Sequence, residues 1–481
     1  MTMSRNIFKS LICVAALAAI TSCDKDDIYI GGADDSILHS PGGNVVYITD
    51  GNGHSNVGFV EFKDSYSLDL YLRSSKAVEG SASVTLSYDT EVLNAYNQGG
   101  GTQVLAFPEA NVELPDGGHI TIEGGTLSSA AYSLRLTGSD KLNPEATYAV
   151  PLRVKPENAA MSGAGDSYIV LVRDCTAFPG AEKYYDGKPG MKIISVIEVN
   201  DVNPLNTLGF TLKESGKQFF DIVVLFSANI NYNAQTGRVY VSRNENIQSL
   251  LDQRDKYIRP LQERGIKVVL GILGNHDVSG ISTLEPALAK NFASEVKNLC
   301  DAYELDGVFL DDEYTDYNGA ASGMYPGFQA QSVEGASRMA YEIRKAQPSR
   351  LLISYRYEAL YRAVAIDGME PGQIFDYVCN DYGVTSNPVD TYPGLSVSQA
   401  GTGSWNCSNY MQLIPSNTTW TKRFSLETMR DEGYGTMMIF NFTCDPGYGL
   451  TRYILKDMGS TCNTFWNAEL EYDGSWYTKD Y

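Results

Sequence analysis

From about Asn44 to Arg173, apolar and polar residues alternate with period two in short runs: Tyr66, Leu68, Leu70 and Leu72; Ala82, Val84, Leu86 and Tyr88; Tyr148, Val150, Leu152 and Val154. Glycine-rich turns at 99–101 and 124–125 separate them. Alternation of this kind marks strands with one buried face, so this part predicts an all-β, immunoglobulin-like sandwich of antiparallel strands. Beyond a Pro- and Gly-bearing stretch at 178–190 the pattern changes. Near-continuous apolar runs occur at 192–199, 219–226, 266–273, 307–310, 351–355, 375–379, 411–414 and 436–440. Amphipathic segments separate them, such as the one carrying Leu288, Phe292, Val296 and Leu299 at helical spacing. Runs without alternation are what strands buried on both faces look like. Eight of them alternating with helices predict a (β/α)8 TIM barrel, whose reactive end lies beyond the C-terminal ends of its strands. The expected division is a sandwich at 44–175, a linker at 176–190 and the barrel at 191–481.

The ends add a compartment. Arg5 and Lys9 precede an apolar run at 11–20 that is too short to span a bilayer, and Thr21, Ser22 and Cys23 follow it directly. A small-residue site ending in Cys resembles the bacterial lipobox. Residues 1–22 are then expected as a lipoprotein signal peptide, Cys23 as the lipidated residue, and 23–43 as anchor and linker. Asp24, Lys25, Asp26 and Asp27 resemble the acidic tag of Bacteroidetes surface lipoproteins, which implies the outer face of the outer membrane. The formal net charge is −21, and it becomes −23 on cleavage because Arg5 and Lys9 leave and no acid does. Such a surface repels phosphate backbones, so nucleic acid is excluded as a partner. Eight cysteines without a C-x-x-C and four scattered histidines give no support for zinc. The six cysteines beyond Cys23 read mostly as buried thiols.

The candidate chemistry sits on the fourth apolar run, Asp306-Gly-Val-Phe-Leu-Asp-Asp-Glu-Tyr314. Strand alternation puts Phe309, Asp311 and Glu313 on one side and Val308, Leu310 and Asp312 on the other. Two carboxylates held close cannot both ionise freely, which pushes one of them, here taken as Glu313, toward the protonated form suited to general acid catalysis. By themselves these acids fit a solvated loop or a cation site equally well.

The stretch resembles the D-G-x-D-x-D-x-E signature of glycoside hydrolase family 18, and its continuation resembles the endo-β-N-acetylglucosaminidase branch of the endoglycosidase H and F type. Further blocks agree in order: 227–232, 258–261, 265–268, 273–276, 375–377 and 431–435. The resemblance implies hydrolysis of the β-1,4 bond in the GlcNAc–GlcNAc core of N-linked glycans. It implies retention through an oxazolinium formed by the substrate's own acetamido group, without cofactor or metal. Carried over by motif position, Glu313 is acid then base, Asp311 orients the acetamide and stabilises the developing charge, and Tyr382 bonds the acetamide oxygen. One position departs from the signature: Phe309 stands where the family has its first aspartate.

Strand-end residues suited to gripping sugars are Asn229, Asn231, Tyr232, Asn275, His276 and Tyr355, together with Gln412 and Asn441. Glu198, Asn200, Asp277, Arg356 and Trp405 are further candidates. The expected partners are N-linked glycans, the outer membrane through the lipid anchor, and glycan-uptake machinery. A non-catalytic glycan-binding protein on the same barrel, and a chitinase, are the alternatives. The sandwich domain resembles the spacer or glycan-binding platforms of Bacteroidetes lipoproteins and carries no reactive constellation.

Overall fold

The computed structural model describes residues 45–481 apart from 52, 100–102, 139–141, 144–145, 162–164, 382–385, 407–425, 446 and 448–450. Cys23, Tyr382, Gln412, the strand expected at 411–414 and the side chain of Trp405 lie outside the described residues. The chain divides into two compact units between Asp174 and Cys175.

The first unit holds a five-stranded and a six-stranded sheet. The alternating residues Leu70, Leu72, Val84, Leu86, Val150, Leu152 and Val154 are buried in one core, as period two requires. Tyr66, at the start of its strand, is exposed. The expectation of antiparallel pairing throughout needs correcting. Val45–Asp50 pairs parallel with Ala160–Met161, Val57–Phe62 with Ser167–Asp174, and Leu105–Ala106 with Thr147–Pro156. Apolar residues also occur on the outward face of two strands, because Val92 and Leu93 of the helix Thr90–Gly99 cover Ala149 and Ile169.

The second unit is a closed barrel of eight parallel strands: β1 (Lys192–Glu198), β2 (Ile222–Asn233), β3 (Lys267–Leu273), β4 (Gly307–Leu310), β5 (Leu351–Arg356), β6 (Tyr377–Asn380), β7 (Ala400–Asn406) and β8 (Thr436–Phe440). β1 pairs with both β8 and β2, which closes the ring. β2 runs on past the barrel rim to pair antiparallel with Arg238–Ser242. Alternate residues divide between two cores. Ile194, Val196, Val224, Val269, Phe309 and Ile353 fill the lumen. Val223, Leu225, Val268, Leu270, Val308 and Leu310 pack outward, in the core that includes Phe292, Val296 and Leu299 of the helix Pro286–Tyr303.

β7 lacks an apolar run because space is scarce there. A Cβ on Gly401 would lie 2.3 Å from Thr436 Oγ1 and 3.1 Å from Cys379 Sγ, so the strand between β6 and β8 is built of small residues. The stretch 176–190, expected as a linker, belongs to the barrel unit. Its Lys183 is buried at the barrel's N-terminal end. There Lys183 Nζ donates to Asp221 Oδ2 at 2.8 Å and to the carbonyls of Ala181, Gln218 and Phe219. Cys175, Cys300, Cys379, Cys444 and Cys462 are all buried.

Candidate active site

β4 positions the reactive groups. Its first residue must be glycine, since a Cβ on Gly307 would lie 2.0 Å from Leu351 O. From there the pleat carries Phe309, Asp311 and Glu313 to the lumen side, where all three line one cavity of about 470 Å³ at the C-terminal end of the barrel. Asp312 turns the other way and is fully buried. Its Oδ1 accepts from Ser282 Oγ at 3.0 Å, and its Oδ2 accepts from Ala359 N at 3.1 Å and Gln331 Nε2 at 3.4 Å. Asp312 therefore ties the strand end to the surrounding loops, while its two neighbours line the cavity.

The backbone of the pair is clamped from the third strand. Asp311 N donates to Ile272 O at 3.0 Å, Gly274 N to Glu313 O at 3.0 Å, and His276 N to Tyr314 O at 2.5 Å. The approach is so close that a Cβ on Gly274 would stand 2.4 Å from Glu313 O. Gly274 O in turn accepts from Asn229 Nδ2 at 2.9 Å, which extends the clamp to β2.

Both carboxyls are pushed above the ordinary range. Burial raises Asp311 well above it, and the like charges of Glu313, Asp312 and Asp381 add to the effect. Asp311 Oδ1 has no hydrogen-bond partner among the described residues. Glu313 is half-buried, and it too is raised, first by burial and then by Asp381, Glu358 and Asp312. Glu313 is thus raised in the direction expected of it, and Asp311, more deeply buried, is raised as well.

The departure at Phe309 has a visible consequence. Its ring, 2% exposed, lies 6.5 Å from Phe226 edge-on and 6.2 Å from Tyr355 in a stack, and it floors the cavity. A donor or acceptor that could satisfy Asp311 from below is replaced by carbon.

The sugar-gripping candidates fall into groups. Asn229 and Tyr355 line the cavity. Tyr355 Oη donates to Asp381 Oδ1 in a short hydrogen bond, and its ring also stacks on Tyr357 at 6.1 Å. Asn231, Tyr232, Asn275 and His276 stand at the strand ends but do not line it. Asn275 Nδ2 donates to Asn231 Oδ1 at 3.1 Å, and Asn231 Nδ2 to Asp277 Oδ2 at 3.1 Å. The Tyr232 ring meets Phe328 edge-on at 4.8 Å, and its N–H donates to Asp277 Oδ2. The His276 ring packs edge-on against Tyr314 at 5.4 Å. Asn441 follows β8 in a left-handed backbone conformation. Arg356 is fully buried and braces β5 to Asn380 and Ser386.

Several cavity residues escaped the sequence reading. Phe226, Met438 and Phe440 form its apolar walls with Phe309. Asn244 lines it from the cap of the helix Glu245–Asp252, where its side chain accepts from Ile247 N, and the Asn-Glu pair at a helix start was the signal for it. Asp381 was visible only as a flank of Tyr382. Among the described residues no group of three His, Cys, Asp or Glu side chains is placed to hold a metal ion.

A family model described as an N-terminal domain matches residues 42–161. Endo-beta-N-acetylglucosaminidase F1 of Elizabethkingia meningoseptica is 43% identical over 298 residues, covering 61% of this chain and 84% of that protein. The endo-beta-N-acetylglucosaminidase of Flavobacterium sp. (strain SK1022) is 34% identical over 53% of this chain and 76% of its own length. Among solved structures, EndoBT-3987 of Bacteroides thetaiotamicron with Man5GlcNAc product is 29% identical, with a TM-score of 0.56, over 90% of this chain and 97% of that one. Its complex with Man9GlcNAc2Asn substrate is 27% identical with a TM-score of 0.55 over the same shares. The chain belongs to the endo-β-N-acetylglucosaminidase family, and its fourth barrel strand resembles the glycoside hydrolase family 18 signature except at Phe309.

Proposed function

We propose that the protein hydrolyses the β-1,4 bond between the two core N-acetylglucosamines of N-linked glycans, with retention and with the substrate's acetamido oxygen as nucleophile. The observation that carries this reading is the convergence of Asp311 and Glu313 in one cavity while Asp312, between them, is fastened outside it. Glu313 protonates the leaving sugar oxygen as the acetamido carbonyl attacks the anomeric carbon from the opposite face. Asp311 accepts the acetamide N–H, fixes that group in the attacking orientation and stabilises the positive charge of the oxazolinium. The Glu313 carboxylate then takes a proton from the water that opens the ring, and retention follows from the two inversions. The apolar floor of Phe309, Phe226 and Phe440 suits the carbon face of a pyranose and keeps competing water out.

The test is digestion of a denatured N-glycoprotein followed by mass spectrometry of both products. One N-acetylglucosamine left on each asparagine, and one at the reducing end of the released glycan, are expected. Glycan binding without release would instead favour a binding protein, and preference for chitooligosaccharides would favour a chitinase.

We also propose placement at the cell surface through lipid on Cys23. The short apolar run at 11–20, the small residues before Cys23 and the acids after it support this reading. Oligosaccharide released there would be delivered to uptake machinery in the same membrane. Cys23→Ser should move the protein from the membrane to the soluble fraction, and an unchanged distribution would refute the anchor.

A further inference from the structure

The first strand also reaches the cavity, and the mechanism above leaves its contribution unused. Glu198, the last residue of β1, lines the same space as Asp311 and Glu313. Its carboxyl is half-buried, raised by that burial and by Asp201, and among the described residues no side chain or backbone N–H donates to it. Its neighbours are committed elsewhere. Asn200 Oδ1 accepts from Asn244 Nδ2 at 3.0 Å and Asn246 Nδ2 at 2.7 Å, and Asn244 Oδ1 caps a helix. A partly desolvated carboxylate at a cavity wall with an apolar floor is short of donors, and sugar hydroxyls supply donors.

We infer that Glu198 binds a hydroxyl of the glycan on the retained side of the cleaved bond, and that Tyr481 is the positioning residue that holds it there. This rests on the proposed hydrolysis. The retained side follows from access: the departing sugar carries a whole protein and must point outward, whereas Glu198 is recessed. The turn that follows Glu198 is fastened twice. Glu198 O accepts from Asp201 N at 3.0 Å and Val202 N at 2.9 Å. From outside, the Tyr481 hydroxyl is shared between Val199 O at 2.8 Å and Val202 O at 2.9 Å. The segment bearing Tyr481 is itself fixed to the residues after β1. Tyr477 N donates to Asn206 Oδ1 at 2.6 Å, Asn206 Nδ2 returns a bond to Tyr477 O at 2.9 Å, and Asn203 Nδ2 donates to Thr478 O at 3.1 Å. Leu470–Tyr472, earlier in that segment, pairs with Phe210–Leu212. Glu198 thus stands on a rigid support, as a specificity contact requires.

The test is steady-state kinetics of the full protein on an N-linked glycopeptide across pH, with Glu198→Gln and Tyr481→Phe. A charge-assisted hydrogen bond predicts a KM about tenfold or more higher in Glu198→Gln, with kcat within about threefold and an unmoved pH profile of kcat. Tyr481→Phe should raise KM in the same direction by a smaller factor. In an otherwise inactive Glu313→Gln protein, Glu198→Gln should weaken binding of the released glycan, followed by calorimetry, by the same factor as KM. An unchanged KM and unchanged glycan affinity would overturn the inference while leaving the hydrolysis intact. A fall in kcat with a displaced pH limb would overturn it too, by making Glu198 a proton-transfer group. Wild type that releases no glycan would instead fail the proposed hydrolysis, and the calorimetric comparison would still decide the role of Glu198.

Discussion

The two ends of the barrel each bury a carboxylate, and they treat it in opposite ways. At the N-terminal end Asp221 is fully enclosed, but Lys183 Nζ stands 2.8 Å from its Oδ2 and Ile193 N donates to the same oxygen. At the C-terminal end Asp311 is equally enclosed, with one oxygen unpartnered among the described residues and three further carboxylates raising its pKa. The first arrangement is what stability asks of a buried charge. The second is costly to the fold and useful only to a reaction that generates positive charge at that point. The contrast separates the supporting end of the molecule from the working end more sharply than burial does, since burial alone ranks the two aspartates as equals.

Breaking the supporting end should give the largest effect on folding. Lys183→Met leaves Asp221 buried with only Lys192, 3.9 Å from its other oxygen, as a cation, and a loss of about 3 kcal/mol in barrel stability is expected by denaturant titration, with kcat per folded molecule unchanged. An equal loss of kcat would show that the two ends are not separable.

Asp311→Asn should act in the reverse sense. Activity should fall by about 10²–10³, the usual result of removing one preorganised electrostatic group. Stability should rise. The folded-state pKa of Asp311 lies above its unfolded value, so the folded protein binds more protons over that interval and loses stability as pH rises through it. The melting temperature of Asp311→Asn should therefore match wild type in acid and exceed it increasingly toward neutral pH. A constant difference would deny the raised pKa.

Smaller effects probe the clamp and the floor. Gly274→Ala must displace Glu313 O, which lies 2.4 Å from the new methyl, and a misplacement of that order should lower kcat about 100-fold with little change in KM. Phe309→Asp would put a carboxylate beneath Asp311. It should shift the acidic limb of the kcat profile with a smaller change at the optimum, and an unmoved limb in a folded variant would mean that the floor position is electrically silent.

How much of this could be read from sequence depended on what kind of information each feature carries. β4 and β8 could be read because strand period and apolar content coincide there, and 307–310 and 436–440 are the strands observed. The same alternation placed Asp311 and Glu313 together and Asp312 apart. β7 could not, because Gly401 and its small neighbours are set by the closeness of β6 and β8, a tertiary constraint that leaves no apolar run. Parallel pairings in the first unit were hidden for a related reason: alternation fixes which face is buried and says nothing of strand direction. Asn231 and Asn275 carry the right chemistry for sugars, but their hydrogen bonds to each other and to Asp277 come from loop geometry. The raised pKa of Asp311 depends on depth of burial, which a strand pattern does not supply.

The most direct test of the luminal pair is the rate on substrates whose reacting sugar carries N-acetyl, N-fluoroacetyl, N-difluoroacetyl or N-trifluoroacetyl groups. Nucleophilic attack by the acyl oxygen, oriented by Asp311 and assisted by Glu313, predicts a kcat that falls steeply with each added fluorine. A rate independent of fluorination would contradict it, because some other nucleophile would then be opening the bond.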